Sequence, residues 1–165
     1  IRGLVGSEMC IRDRTTTATL TKAILDNAGY RTAQIGTLGL IADGVNHEQT
    51  MTTPDAISIQ KILHNLKEES FTHVVMEVSS HALDQSRVAN INFNLAAFTN
   101  LSPEHLDYHI TIENYFHSKM KLFKNLDKNS KAIINIGDQY GKKLAKETDA
   151  TIVSFLDINL SLIHI

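Results

Sequence analysis

The chain has 165 residues, a length typical of one domain, and 42% of them are hydrophobic while 21% are charged. This composition excludes an intrinsically disordered chain, and a formal net charge of −2 gives no reason to expect nucleic acid or an anionic membrane as partner. The single cysteine, Cys10, cannot form an internal disulfide, and no apolar run is long enough to cross a bilayer, so we expect a cytoplasmic domain.

The first predicted elements are a helix and an extended segment. Residues 16–28 predict a helix that ends before Gly29 and whose apolar positions share one face: Leu20, Ala23, Ile24 and Ala28. Residues 32–40 are extended and β-prone, and Asp43-Gly44 is a dipeptide typical of hairpin turns.

A second helix is predicted after Met51-Thr52-Thr53-Pro54. Thr53 is the expected N-cap residue, and Pro54 suits the first helical position. The predicted buried stripe of this helix consists of Ile59, Ile62, Leu63 and Leu66.

The rest of the chain alternates between predicted strands and helices. Strands are expected at residues 73–78, 95–98, 132–134 and 151–153, and helices at 112–126 and near 142–146. This alternation predicts one α/β unit with a mostly parallel sheet and helices on both faces. In such sheets ligands bind beyond the carboxyl ends of the strands, which is where the polar clusters of this sequence fall.

The first polar cluster is Thr15-Thr16-Thr17, at the start of the first predicted helix. A helix N-terminus offers free N–H groups and suits a phosphate. The full phosphate-loop pattern needs a Gly-Lys pair, however, and Ile11-Arg12-Asp13-Arg14 precedes Thr15. Taken alone, a run of threonines at the start of a helix is usually explained by helix capping.

Glu77 stands at the end of an apolar strand, within Met76-Glu77-Val78-Ser79-Ser80-His81. A carboxylate at this position is either a metal ligand or an edge residue that faces water. Magnesium prefers oxygen ligands and often uses only one or two protein carboxylates beside phosphates.

A dense group of possible ligands follows the strand at residues 95–98. His105, Asp107 and His109 form an H-x-D-x-H pattern, a weak zinc signal because a helical turn would point the three side chains apart. Ser102-Pro103 resembles a helix N-cap followed by proline.

Lys119 lies on a predicted helical stripe with Tyr115, Leu122 and Leu126. A lysine on such a stripe either extends its amine to solvent or keeps a partly buried amine that is open to chemical modification. A further set of polar side chains suits a substrate rich in carboxylate, phosphate and sugar oxygens, although capping and solvation explain them equally well: Thr52, Thr53, Ser79, Gln85 and Arg87.

The order and spacing of these clusters resemble the central domain of the Mur ligase family, a P-loop NTPase-like fold. The resemblance covers residues 15–155. Within the family, the stretch from Glu77 to Leu83 is most similar to members that act on UDP-N-acetylmuramoyl-L-alanyl-D-glutamate.

The resemblance implies an ATP- and magnesium-dependent ligase of cell-wall synthesis, a monomer that adds the third amino acid, diaminopimelate or lysine, through an acyl phosphate. It implies that Thr15 and Thr16 contact the nucleotide. The implied magnesium ligands are Thr15, Glu77, His105 and a carbamylated Lys119. The implied catalytic residues are Asn100, His105 and Lys119. The implied contacts to the UDP-N-acetylmuramoyl-dipeptide are Thr52, Thr53, Ser79, Gln85 and Arg87.

The ends of the chain depart from the family pattern. Residues 6–14 stand where the family has Thr-Gly-Thr-Asn-Gly-Lys, and Glu8 and Asp13 place carboxylates where phosphates would lie. We interpret residues 1–14 and 156–165 as non-native or divergent ends, within which residues 7–14 and 160–165 resemble translated adapter sequence. We interpret the family's N-terminal and C-terminal domains as missing. The sequence therefore leaves three alternatives open: a non-catalytic nucleotide- or substrate-binding module, a folylpolyglutamate- or cyanophycin-type ligase, and a zinc hydrolase.

Overall fold

A computed structural model describes residues 5–45 and 51–156, with side chains from residue 13 onward. The chain divides into two compact units, one formed by residues 11–90 and the other by residues 91–165 with residues 1–10. The sequence led us to expect one α/β unit, whereas the chain divides into two. Among the described residues, no helix is long and apolar enough to span a membrane.

The unit of residues 11–90 is built around a three-stranded sheet. Its elements are α1 (Val5–Asn27, of which residues 11–27 belong here), β1 (Thr32–Gly36), β2 (Gly39–Ile41), α2 (Ala56–Glu68), β3 (His73–Met76) and α3 (Ser80–Asp84). The strand order is β2-β1-β3, in which β1 pairs antiparallel with β2 and parallel with β3. Ala33 and Ile35 of β1 pack against Ile62 and Leu66 of α2 to form its core.

The other unit contains a fully parallel sheet of order β4-β5-β6. Its elements are β4 (Leu95–Phe98), α4 (Leu106–His109), α5 (Ile112–Lys124), β5 (Lys131–Asn135), α6 (Gln139–Leu144) and β6 (Thr151–Phe155). Tyr115, Phe116 and Phe123 of α5 join Phe98 and Ile134 of the sheet in one apolar core. The predicted alternation of strands and helices, and with it the α/β class, is confirmed.

The predicted start of the first helix is wrong. Helix α1 begins at Val5, so Thr15, Thr16 and Thr17 lie in its interior and not at its N-terminus. The backbone N–H groups of an α-helix are without an intrahelical partner only in the first turn. Leu20 and Ile24, on the apolar face that the sequence predicted, are 59% and 68% exposed.

One predicted turn and two predicted helix caps are also placed differently. The tight turn between β1 and β2 is Thr37-Leu38, because Gly36 pairs with Gly39, whereas Asp43-Gly44 forms a turn after β2. Asp55, and not Thr53, caps α2, and its carboxylate accepts hydrogen bonds of 3.0 Å from the backbone N–H groups of Ile57 and Ser58. The N-cap of α4 is His105, in the left-handed conformation, in place of Ser102.

The buried stripe of α2 was largely predicted. Ile59, Ile62 and Leu66 are at most 2% exposed, and Leu63 is half-buried. Helix α5 starts at the expected residue, Ile112, and ends two residues before the predicted end at Leu126.

Candidate functional site

The unit of residues 11–90 contains a buried carboxylate at the carboxyl end of its sheet. Glu77 directly follows β3, is 3% exposed, and donates its backbone N–H to the carbonyl of Ile35 over 2.8 Å, so the parallel pairing with β1 continues to this residue. One carboxylate oxygen, Oε1, accepts a hydrogen bond of 3.1 Å from the backbone N–H of Thr37. The other, Oε2, accepts hydrogen bonds from the hydroxyls of Thr15, at 2.9 Å, and Thr37, at 3.1 Å. These donors offset the cost of burying the carboxylate.

Gly36 allows the carboxylate to reach this position. A Cβ atom added to Gly36 would lie 2.1 Å from Glu77 Oε1, far inside van der Waals contact. The last residue of β1 therefore has to be glycine for Glu77 to keep this conformation.

The main chain around Glu77 is held by Thr53. The hydroxyl of Thr53 donates to the carbonyl of Glu77 over 2.9 Å and accepts the backbone N–H of Ser79 over 3.0 Å. Ser79 is in turn the N-cap of α3, and its hydroxyl accepts the N–H of Ala82 over 3.2 Å. Thr53 and Ser79, both predicted substrate contacts, are thus neighbours, and both also have a structural role here.

Arg87 joins the remaining predicted substrate residues. Its Nη1 donates to the carbonyl of Thr53 over 2.8 Å, and its Nε and Nη2 donate to Oε1 of Gln85 over 2.9 and 2.5 Å. The hydroxyl of Thr52 lies 3.3 Å from that of Thr37. All five predicted substrate residues therefore lie in one hydrogen-bonded cluster with Thr37 and Glu77.

Of the two predicted nucleotide contacts, only Thr15 reaches this cluster. Thr15 is half-buried and bonded to Glu77, whereas Thr16 is exposed on α1. Because both are inside the helix, their backbone N–H groups are not available to a phosphate in the way that a helix N-terminus makes them available.

The unit of residues 91–165 carries the other predicted site residues around Tyr115. The ring of His105 meets that of Tyr115 edge-on at 6.1 Å, and Nζ of Lys119 lies 5.0 Å from the centre of the same ring. Lys119 and His105 are both half-buried, so the structure places them on one aromatic side chain that is 2% exposed. Asn100 is half-buried in the segment between β4 and α4.

The H-x-D-x-H pattern does not converge in this unit. His109 is buried, with its ring 5.3 Å from that of Tyr115, while Asp107 is exposed. Within the described parts of the chain, no group of three or more His, Cys, Asp or Glu side chains is arranged to hold a metal ion. The geometry therefore gives no support to the zinc hydrolase alternative.

Sequence reasoning missed Thr37. The signal that could have found it is topological: Thr37 directly follows β1 and Glu77 directly follows β3, and these strands are parallel neighbours. Residues at the carboxyl ends of such strands meet at one edge of the sheet.

Comparison with known proteins shows the family of the chain. A family model described as the Mur ligase middle domain matches residues 14–161. The chain belongs to the Mur ligase family.

Several relatives in this family are named UDP-N-acetylmuramoyl-L-alanyl-D-glutamate--2,6-diaminopimelate ligase. The protein of this name from Clostridium botulinum is 42% identical over 134 residues, which are 81% of this chain and 27% of the relative. Those from Syntrophomonas wolfei and Rhizobium meliloti are each 44% identical, over 79% and 77% of the chain and 27% and 26% of their own lengths. A solved structure of a ligase of the same name matches with a TM-score of 0.71 and 29% identity, over 83% of this chain and 28% of that one. The chain thus spans about a quarter of these Mur ligases.

Proposed function

We propose that the chain is the central domain of an ATP-dependent, amide-bond-forming ligase that adds 2,6-diaminopimelate to UDP-N-acetylmuramoyl-L-alanyl-D-glutamate. The names of its relatives support the substrate and the added amino acid, and favour diaminopimelate over lysine. They also favour this function over a folylpolyglutamate- or cyanophycin-type ligase. A cytoplasmic location and a monomeric state belong to the same proposal.

The observation that carries the proposal is the hydrogen-bonded cluster around Glu77. It brings a buried carboxylate next to hydroxyl, amide and guanidinium groups that the resemblance assigns to the muramoyl-dipeptide. Carboxylate and hydroxyl oxygens are ligands that suit magnesium, and a guanidinium suits the carboxylates of a peptide. One cluster can therefore hold a cation and orient an acidic substrate.

The residues present fit a magnesium ion. Thr15 and Glu77 of the unit of residues 11–90 would hold it there. The resemblance also implies His105 and a carbamylated Lys119, in the unit of residues 91–165, as magnesium ligands. When bound, magnesium would neutralise charge between a phosphate and the substrate carboxylate. Arg87, with Gln85 fixed against its guanidinium, would orient the dipeptide.

The residues present do not fit the phosphates of ATP. A phosphate loop presents backbone N–H groups at the start of a helix, and in this chain α1 already runs from Val5 through the positions where the loop would end. This observation favours a second candidate for the chain as written, a domain that binds the muramoyl-dipeptide without catalysing ligation. Both candidates use the same substrate residues.

The substrate part of the proposal is tested by titrating the 15N-labelled chain with UDP-N-acetylmuramoyl-L-alanyl-D-glutamate. We expect the NMR signals of residues 51–53, 79 and 85–87 to shift in wild type and the response to weaken in Arg87→Ala. Arg31→Ala is the matched control, because Arg31 is an arginine of the same unit that lies over the ring of Phe71 at 4.4 Å, outside the cluster. Unchanged spectra, or equal binding by Arg87→Ala and wild type, would contradict the proposal.

A further inference from the structure

The two oxygens of the Glu77 carboxylate are both held by one residue of the β1–β2 turn. The backbone N–H of Thr37 donates to Oε1, and the hydroxyl of Thr37 donates to Oε2, each over 3.1 Å. A carboxylate that is bonded through both oxygens to one residue cannot rotate about its last torsion without losing a hydrogen bond. The contact therefore fixes the plane of the carboxylate as well as its position.

We propose that Thr37 is a positioning residue that holds the Glu77 carboxylate in the orientation needed to bind a divalent cation. This inference rests on the proposed function, in which Glu77 is a metal ligand. Residues that hydrogen-bond to a metal ligand typically contribute a factor of about 10 to 100 to metal affinity.

Thr15 and Thr37 both donate to Glu77 but have different parts in this proposal. Thr15 is a proposed ligand of the same cation, so its hydroxyl would turn its lone pairs toward the cation when one binds. Thr37 has a main-chain donor that no rotamer change removes, and its position is set by the pairing of β1 with β3 and by the close approach that Gly36 permits. Thr37 is thus the residue suited to hold the carboxylate in both the free and the bound state.

The hydroxyl of Thr37 also connects two functions. It lies 3.1 Å from Glu77 Oε2 and 3.3 Å from the hydroxyl of Thr52, a proposed substrate contact. Removing this hydroxyl should therefore weaken cation binding. It should also alter the effect of bound substrate on cation affinity, because the hydroxyl contacts both Glu77 and Thr52. This coupling is reciprocal, so the cation changes substrate affinity by the same factor. A residue with only a structural role in the turn would not change this coupling.

The test measures Mn2+ binding to the chain by electron paramagnetic resonance, with and without UDP-N-acetylmuramoyl-L-alanyl-D-glutamate. Thr37→Val keeps the shape and the backbone N–H but lacks the hydroxyl, and we expect it to bind Mn2+ about 10-fold more weakly than wild type. Thr37→Ser restores the hydroxyl and should restore both the affinity and the effect of the substrate. Thr21→Val is the matched control, because Thr21 is an exposed threonine whose hydroxyl bonds only locally, to the carbonyl of Thr17.

Glu77→Gln separates this inference from the proposed function. If Glu77→Gln loses Mn2+ binding while Thr37→Val binds as tightly as wild type, the role of Thr37 is wrong and that of Glu77 stands. If Glu77→Gln binds like wild type, the proposed metal site itself is wrong and the role of Thr37 falls with it. Circular dichroism of each variant monitors folding, and failure of Thr37→Ser to restore affinity to a folded chain would also overturn the inference.

Discussion

The hydroxyl of Thr53 donates a hydrogen bond of 2.9 Å to the carbonyl of Glu77, although the two residues are 24 positions apart. The same hydroxyl accepts the N–H of Ser79 over 3.0 Å, so Thr53 bonds to the main chain on both sides of Val78. Thr53 is 1% exposed, so both hydrogen bonds are shielded from solvent. This residue therefore determines where the segment after β3 lies.

Replacing Thr53 by valine should destabilise the chain. Valine keeps the shape but leaves the Glu77 carbonyl and the Ser79 N–H without this partner, and we expect the free energy of unfolding to fall by about 1–3 kcal/mol. Thr53→Ser should keep most of the stability. Urea denaturation measures the change, with Thr21→Val as the control, and a Thr53→Val chain as stable as wild type would show that the two hydrogen bonds contribute nothing net.

Gly36→Ala should disturb the carboxylate directly. The added methyl group would lie 2.1 Å from Glu77 Oε1, so either Glu77 or β1 has to move, and overpacking of this kind costs about 1–3 kcal/mol. We expect weaker Mn2+ binding together with lower stability. Gly39→Ala is the control, because Gly39 has a φ of 86° and no atom near its added Cβ, so it should lose stability without losing cation affinity. Equal cation affinity in Gly36→Ala and wild type would contradict the assignment of Glu77 as a cation ligand.

The chain as written should not bind ATP tightly or turn it over. Losing one preorganised donor to a developing charge typically costs about 100- to 1000-fold in rate, and here helix α1 replaces the whole phosphate loop. The comparison is isothermal titration of ATP with magnesium against wild type and against a chain with the family loop restored before Thr15: M9T, C10G, I11T, R12N, D13G and R14K. Tight binding by both chains would show that the present N-terminal segment is a working nucleotide site.

Lys119 should form a carbamate. Lys119 is half-buried and its Nζ lies 5.0 Å from the centre of the Tyr115 ring, and we expect a carbamate signal in the 13C NMR spectrum of the chain in 13C-labelled bicarbonate. Lys119→Arg should remove this signal, while Lys121→Arg, at an exposed position of the same helix, should keep it. In an intact ligase, Lys119→Ala should abolish ligation, with partial rescue by short carboxylates. Full activity of that variant would end the carbamate proposal.

Acid should weaken the N-terminus of α2. Hydrogen bonds from the Ser58 hydroxyl, and then from backbone N–H groups, lower the pKa of Asp55 below its ordinary value of 3.8. Because the pKa is lower in the folded chain than in the unfolded one, the stability that the carboxylate contributes is complete above pH 3.8 and is lost as pH falls through the folded value.

The variant Asp55→Asn tests this prediction, because asparagine caps a helix about as well but does not titrate. Thermal melts between about pH 5 and pH 2 should show a smaller loss of stability in Asp55→Asn than in wild type. Asp26→Asn is a useful comparison, since the pKa of Asp26 on α1 is also lowered, in this case by the hydrogen bond and charge of Lys22. Identical pH profiles of wild type and Asp55→Asn would contradict the prediction.

Local patterns in the sequence determined much of the secondary structure. The apolar spacing of Ile59, Ile62 and Leu66 predicts which face of α2 is buried, and the apolar run of residues 95–98 matches β4 in both bounds. These signals are readable because periodicity and propensity depend on neighbours a few positions away. The position of Glu77 directly after an apolar strand is also a local signal, and it indicated the candidate site.

The tertiary structure alone decided which residues meet at that site. Thr15, Thr37 and Thr53 lie 62, 40 and 24 positions from Glu77, and the register of β1 against β3 brings Thr37 to the carboxylate. Such contacts depend on how strands pair, which no short window of sequence specifies. The cap of α2 shows the same limit. Thr53 has the right side chain for an N-cap, but its hydroxyl is buried against the main chain after β3. Asp55, two residues later, caps the helix instead.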